Sequence, residues 1–180
     1  VEIAVQRSGG VILYAVELLK GIKSGGIQTS SPSTFPEGLE NIYLGNMERL
    51  CPDIEAYRLT SRPLLELIAK SPHPIPDSLA QQVLGWGEGK MSDALNAISS
   101  LLIQHGKGRN TTMQFFHKSF AEWLLNPSVR HRYVLEGAGG NAIAKFLWPK
   151  WVYLDDLNET SEEKRKSNWA PFLSDWLPCL

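Results

Sequence analysis

No helix can run through residues 71–77, because "SPHPIPD" carries prolines at positions 72, 74 and 76. Each proline lacks the N–H that a helical turn needs, and its ring clashes with the turn before it. The strongest helical run upstream, "LLELIAKS", must therefore close at this triplet. Downstream, Asp77 and Ser78 are placed to cap a new helix over 79–84, which the glycines of "GWGEGK" then end. Proline and glycine thus cut the chain into short pieces, and the apolar spacing within each piece says what it is.

Before the prolines the pieces are helical. Residues 1–7 end a helix at Ser8-Gly9-Gly10, where glycine supplies the left-handed backbone of a C-cap. From Val11, the residues Ile12, Ala15, Val16, Leu19 and Ile22 recur at i, i+3, i+4 and i+7, which predicts an amphipathic helix with that face in the core. A polar loop over 28–34 follows. Pro36 and Glu37 suit the first turn of another helix, with Leu39, Ile42, Tyr43, Met47 and Leu50 on one face. A further helix covers 53–70, and Pro63 either restarts or kinks it.

After the prolines a third short helix is expected from Ser92, with Ala94, Leu95, Ile98, Leu101 and Leu102 apolar. "LLIQ" and "TTMQFFH" then flank a polar, glycine-containing turn, the pattern of a β-hairpin. His117 ends the second strand. Ser119 reads as the N-cap of the next helix, with Glu122 completing a capping box. Three helices followed by a two-stranded wing is the winged-helix arrangement. Beyond Pro127 the chain turns helical again, with a short helix over 141–148. A charged stretch, "NETSEEKRKSN", and an aromatic one, "NWAPFLSDWLPCL", close the sequence.

With 180 residues, 43% of them apolar, the chain has material for one domain or two small ones. Its net charge of −1 creates no field that would draw nucleic acid or an anionic membrane. The longest apolar run, "VILYAVELLKGI", is interrupted by Glu17 and Lys20 and is too short to span a bilayer. Cys51 and Cys179 form neither a metal spacing nor a disulfide framework, which fits a reducing compartment. The first residues, "VEIAVQRSGG", begin in helical character without an initiator Met or signal pattern, so a piece of a longer protein is expected.

No catalytic constellation is encoded. "LGWGEGKM" falls short of the phosphate-binding GxxxxGK[ST] loop: Leu84 stands where the leading glycine belongs, and Met91 where the magnesium-binding hydroxyl belongs. Neither a GxSxG elbow nor an HExxH pair occurs. His73, His105, His117 and His131 are scattered without metal-ligand spacing. The hairpin tip carries His105, Lys107 and Arg109. The helix that would read DNA, "SDALNAISSLLIQ", has Asp93 as its only charge and offers phosphates nothing.

Four blocks, "SGGVILYAVELLKGI", "FPEGLENIYLGNME", "LLELIAKSPHPIP" and "FFHKSFAEWL", in this order and spacing, resemble the C-terminal part of NACHT-type STAND NTPases. These are signal-transducing ATPases of the AAA+ lineage, often followed by repeats. The resemblance covers roughly residues 1–148. It implies a mainly α fold with a small β-hairpin, in three parts. Residues 1–52 would be a small helical, lid-like subdomain, 53–126 a winged-helix domain, and 127–180 the start of a helical arm leading to repeats. The P-loop, the magnesium-binding acidic strand and the arginine sensor are not in this chain, so it would be no enzyme alone.

In that family the histidine of an FxHxSF pattern contacts the phosphates of bound ADP and helps hold the inactive state. Here that residue is His117. Lys118 and the start of the helix at Ser119 would add positive field beside it. A proline of the helical subdomain contacts the nucleotide base, and Pro36 is its match. The resemblance therefore implies ADP or ATP as ligand, but only with a nucleotide-binding core upstream. It further implies that core and downstream repeats as partners, and a cytoplasmic location. Two other readings stay open. One is a nucleotide-independent protein-interaction module that docks through Trp169 and Trp176. The other is a DNA-binding winged helix. For His117 itself the alternative is a buried core histidine among Phe115, Phe116 and Phe120.

Overall fold

The computed structural model describes residues 2–106, 111–135 and 137–156, with the side chains at 130, 131 and 148–156 left aside. The protein is mainly helical with a small antiparallel sheet, as expected. It divides into two compact units, Val1–Pro52 and a second beginning at Asp53.

The first unit holds α1 (Glu2–Ser8), α2 (Ile12–Lys23) and α3 (Gly38–Leu50). Its core gathers Tyr14, Leu18, Phe35 and Ile42, with Ala4, Ile22 and Ile27 packed against them. This corrects the face expected of α2. Tyr14, Leu18 and Gly21 point inward, whereas Ile12 is 83% and Leu19 56% exposed, and Val16 is exposed too. Two apolar stripes run along this helix. The one that wins carries the large Tyr14 ring, whose hydroxyl donates to the Pro36 carbonyl at 2.7 Å. A second correction concerns Pro36, which lies outside the helix. Gly38, at a φ of 71°, can take the left-handed backbone that lets α3 start only there.

The second unit holds α4 (Ile54–Thr60), α5 (Arg62–Lys70), β1 (Ile75–Pro76), α6 (Asp77–Leu84), α7 (Glu88–Ala97), β2 (Leu102–His105), β3 (Thr112–Phe115), α8 (Lys118–Leu124), α9 (Pro127–Tyr133) and α10 (Ala138–Asp156). Pro63 starts α5 afresh in its first turn, where no N–H is needed. Seven of the nine α5 residues are buried, so this helix is wrapped on all sides. α10 lies along it, and at their closest approach a β-carbon on Gly139 would stand 2.0 Å from the Glu66 carbonyl oxygen. Residues 127–156, expected to start a helical arm, fall in the same compact unit as α5.

The sheet order is β1-β3-β2, all antiparallel. The strand β1 was not expected. It is two residues long, too short to show alternation, and it ends in a proline. The ladder continues past that proline through the Asp77 N–H, which donates to the Thr111 carbonyl at 2.8 Å. Asp77 opens α6 rather than capping it from outside. Gly85 ends α6 with a left-handed φ of 64°. α7 begins four residues earlier than expected, so half of "GWGEGK" is helix. The hairpin appears as expected, but its tip residues Lys107 and Arg109 lie outside the described residues. So do the charged and aromatic stretches after Asp156, including Trp169 and Trp176, and the side chains of Trp148 and Trp151.

Candidate functional site

His117 sits two residues past the end of β3, and it is exposed rather than buried. The phenylalanines around it point the other way. Phe120 meets Phe115 edge-on at 5.1 Å between ring centres and Phe116 at 5.4 Å. The contacts run on from Phe120 to Trp123, from Trp123 to Tyr133, and from Tyr133 to Tyr57. This row buries Phe120, Trp123, Tyr133 and Tyr57 and anchors the first turn of α8. The histidine is carried on that anchor, facing solvent.

The cap of α8 differs from the expected one. His117, in extended backbone, is itself the N-cap. Its Nδ1 accepts the Ser119 main-chain N–H at 3.1 Å, and the Ser119 hydroxyl lies 2.7 Å from the same nitrogen. Glu122 does not reach back to close a capping box. It pairs instead with Lys118 at 3.3 Å on the exposed side of the helix. The cap stands two positions earlier because α8 begins at Lys118, which makes Ser119 the second helical residue and puts its N–H within reach of the His117 ring.

This arrangement fixes a chemical feature. With Nδ1 accepting from an amide, the neutral ring must carry its remaining proton on Nε2. The protein therefore presents an N–H donor to solvent from a ring whose orientation the cap sets. Lys118 places its ammonium on the same exposed turn. α8 is only seven residues long, and the Lys118 ammonium shares its charge with Glu122, so the outward N–H is the main polar feature of the spot.

Pro36 lies in the first unit, and its carbonyl is engaged by Tyr14. Burial raises the Tyr14 hydroxyl pKa above its ordinary value, while the Arg7 guanidinium pulls weakly the other way. Arg7 also donates to the Ser33 carbonyl at 2.7 Å and to the Phe35 carbonyl, so it straps the segment before Pro36 onto α1.

One feature had only a faint sequence signal. In α5, Arg62 and Glu66 form a buried ion pair, Nε to Oε1 at 2.8 Å, and the same oxygen accepts the Leu135 N–H at 2.6 Å. Only the i, i+4 spacing hinted at it, and that spacing is commonplace on exposed helices.

Among the described residues no group of His, Cys, Asp and Glu could hold a metal, and no helix is long and apolar enough to cross a membrane. No family model, curated protein or solved structure matches the chain.

Proposed function

We propose that this chain is the regulatory part of a signal-transducing STAND NTPase, and that His117 contacts the phosphates of an ADP held by a P-loop core upstream. Residues 53–126 would be its winged-helix domain. The order helix, strand, helix, helix, hairpin in α5–β3, with the first strand paired to the last, supports that reading.

The observation that carries the proposal is the His117 cap, in which Nδ1 takes the Ser119 N–H and leaves Nε2 toward solvent. A capped imidazole with Nε2–H outward is a donor already aimed, so little ordering cost remains when an anionic oxygen arrives. Lys118 would add charge at the same turn. Pro36 toward the base rests on the resemblance, and its carbonyl is held by Tyr14. The chain would bind no nucleotide alone and catalyse nothing alone. ADP and ATP would be ligands of the whole cytoplasmic switch, whose core and repeats are its nearest partners. Retention of ADP by the parent polypeptide, with and without the His117 side chain, tests this.

A second reading, a protein-interaction module, draws on the groove described below. The DNA reading loses ground. α7 carries Glu88, Lys90 and Asp93, and the Lys90 ammonium sits 4.6 Å above the Trp86 ring. Such a helix supplies little phosphate neutralisation.

A further inference from the structure

Between α6 and α7, bordered by β2, lies an open groove of about 840 Å³. Its walls mix amides, hydroxyls and carboxylates with the apolar side chains of Met91, Leu95 and Trp86. Gln81, Asn96 and Gln104 offer donors and acceptors, Asp77 and Glu88 offer negative charge, and Trp86 lines it too, with the Lys90 ammonium above its ring. No described lining residue is cationic. Neither Asp77 nor Glu88 is ion-paired to a described residue. Asp77 only accepts a neutral hydrogen bond from Gln81 at 3.1 Å.

The border strand adds an independent feature. In the sheet order β1-β3-β2, one side of β2 faces no strand of the described residues. The Phe116 N–H donates to the Leu101 carbonyl, which makes that pair a hydrogen-bonded one. Bonded and non-bonded pairs alternate in an antiparallel ladder. With Leu102 opposite Phe115 and Gln104 opposite Met113, the main-chain groups of Leu102 and Gln104 turn away from β3. The Leu102 N–H is taken by the Ser99 carbonyl, which leaves the Leu102 carbonyl and the Gln104 peptide groups along the edge. Gln104 thus lines the groove with its side chain and offers its peptide groups along the rim.

We propose that this groove and the open edge of β2 together bind an extended segment of a partner protein bearing arginine or lysine. The peptide adds as a fourth strand beside β2. Its cationic side chains reach Asp77 and Glu88, and the carboxamides take the remaining polar groups. Charge complementarity selects the occupant: the lining offers two carboxylates without an ion partner among the described residues. The Lys90 ammonium beside Trp86 is the one described cation at the rim, and the balance disfavours acidic segments and nucleic acid. The proposal does not depend on the nucleotide reading.

The test uses the full 180-residue chain and a fluorescein-labelled peptide of alternating threonine and arginine, read by anisotropy. Saturable binding is expected. The double variant Asp77→Asn, Glu88→Gln should weaken it about tenfold, the size expected for losing close charge pairs. Asp93→Asn, on the same helix but outside the groove, should change it by less than about twofold, as for a screened surface charge. A probe N-methylated at alternate residues keeps its charge but cannot pair with β2, and it should not bind. This last arm leaves the protein unaltered, so misfolded variants do not blunt it. The proposal is overturned by absent saturation, by equal effects of Asp93→Asn and the double variant, or by full binding of the methylated probe. It is also overturned if binding appears only after Lys164, Arg165 and Lys166 are changed to serine, since the chain's own basic segment would then occupy the groove.

Discussion

Glu66 and Leu135 lie 69 positions apart, yet the Glu66 carboxylate accepts the Leu135 main-chain N–H at 2.6 Å while also holding Arg62. One buried oxygen therefore ties the start of α5 to the chain that follows α9. Tyr57 repeats the tie by donating its hydroxyl to the Tyr133 carbonyl at 2.7 Å. The Arg62 guanidinium is itself buried, and its Nη2 has no hydrogen-bond partner. Among the described residues its charge is met by this one carboxylate.

Removing that carboxylate should be costly. Glu66→Ala is expected to destabilise the second unit by about 3–5 kcal/mol, because it strands a buried cation and orphans an amide. Glu66→Gln keeps an acceptor for Leu135 and should cost less. Urea unfolding followed by circular dichroism measures both. Equal stability of Glu66→Ala and the parent would remove the ion pair from the account.

Neighbouring glycines in α10 should behave in opposite ways. At Gly139 an added β-carbon meets the Glu66 carbonyl, which is backbone and cannot swing aside. Gly139→Ala should lose about 1–3 kcal/mol or more by overpacking. At Gly140 a β-carbon meets nothing within 4 Å. Gly140→Ala should gain about 1 kcal/mol from helix propensity. Two melting curves decide whether α10 lies against α5 as described.

In α2 the corrected face makes a similar contrast. Leu18 is buried and its neighbour Leu19 exposed. Leu18→Ala should cost about 2–5 kcal/mol, and Leu19→Ala should stay within about 0.5 kcal/mol. Reversal of that order would restore the face expected from spacing alone.

The first unit should also lose stability in alkali. Burial holds the Tyr14 hydroxyl pKa above its ordinary value of 10.0. The folded unit therefore keeps the proton after the unfolded chain has released it. The stabilisation is complete below the unfolded pKa and drains away as pH rises through the folded one. Tyr14→Phe should remove this alkaline loss, at about 1 kcal/mol for the missing hydrogen bond. A pH series of unfolding midpoints around and above pH 10 reads the difference.

These contrasts mark what the sequence carries. Helix positions were legible because proline and glycine punctuate the chain, and those residues act locally. The inward face of α2 was not, because two apolar stripes compete and only tertiary packing of Tyr14 chooses between them. The strand β1 was hidden because two residues show no period. The α8 cap was misplaced because serine is the commoner N-cap, and nothing local says that His117 will bend its ring onto the Ser119 amide. The Arg62–Glu66–Leu135 tie joins residues distant in sequence, and only the fold brings them together.

The central claim is that His117 has two separable jobs, capping α8 through Nδ1 and meeting a phosphate through Nε2–H. Asparagine caps helices well but is too short to offer the second donor. In a polypeptide that joins this chain to the proposed P-loop core, purified ADP content should fall sharply in both His117→Ala and His117→Asn. Only His117→Ala should also lose about 1 kcal/mol of stability through the missing cap. If His117→Asn keeps the parent's ADP content, the phosphate contact is contradicted and His117 is a cap alone.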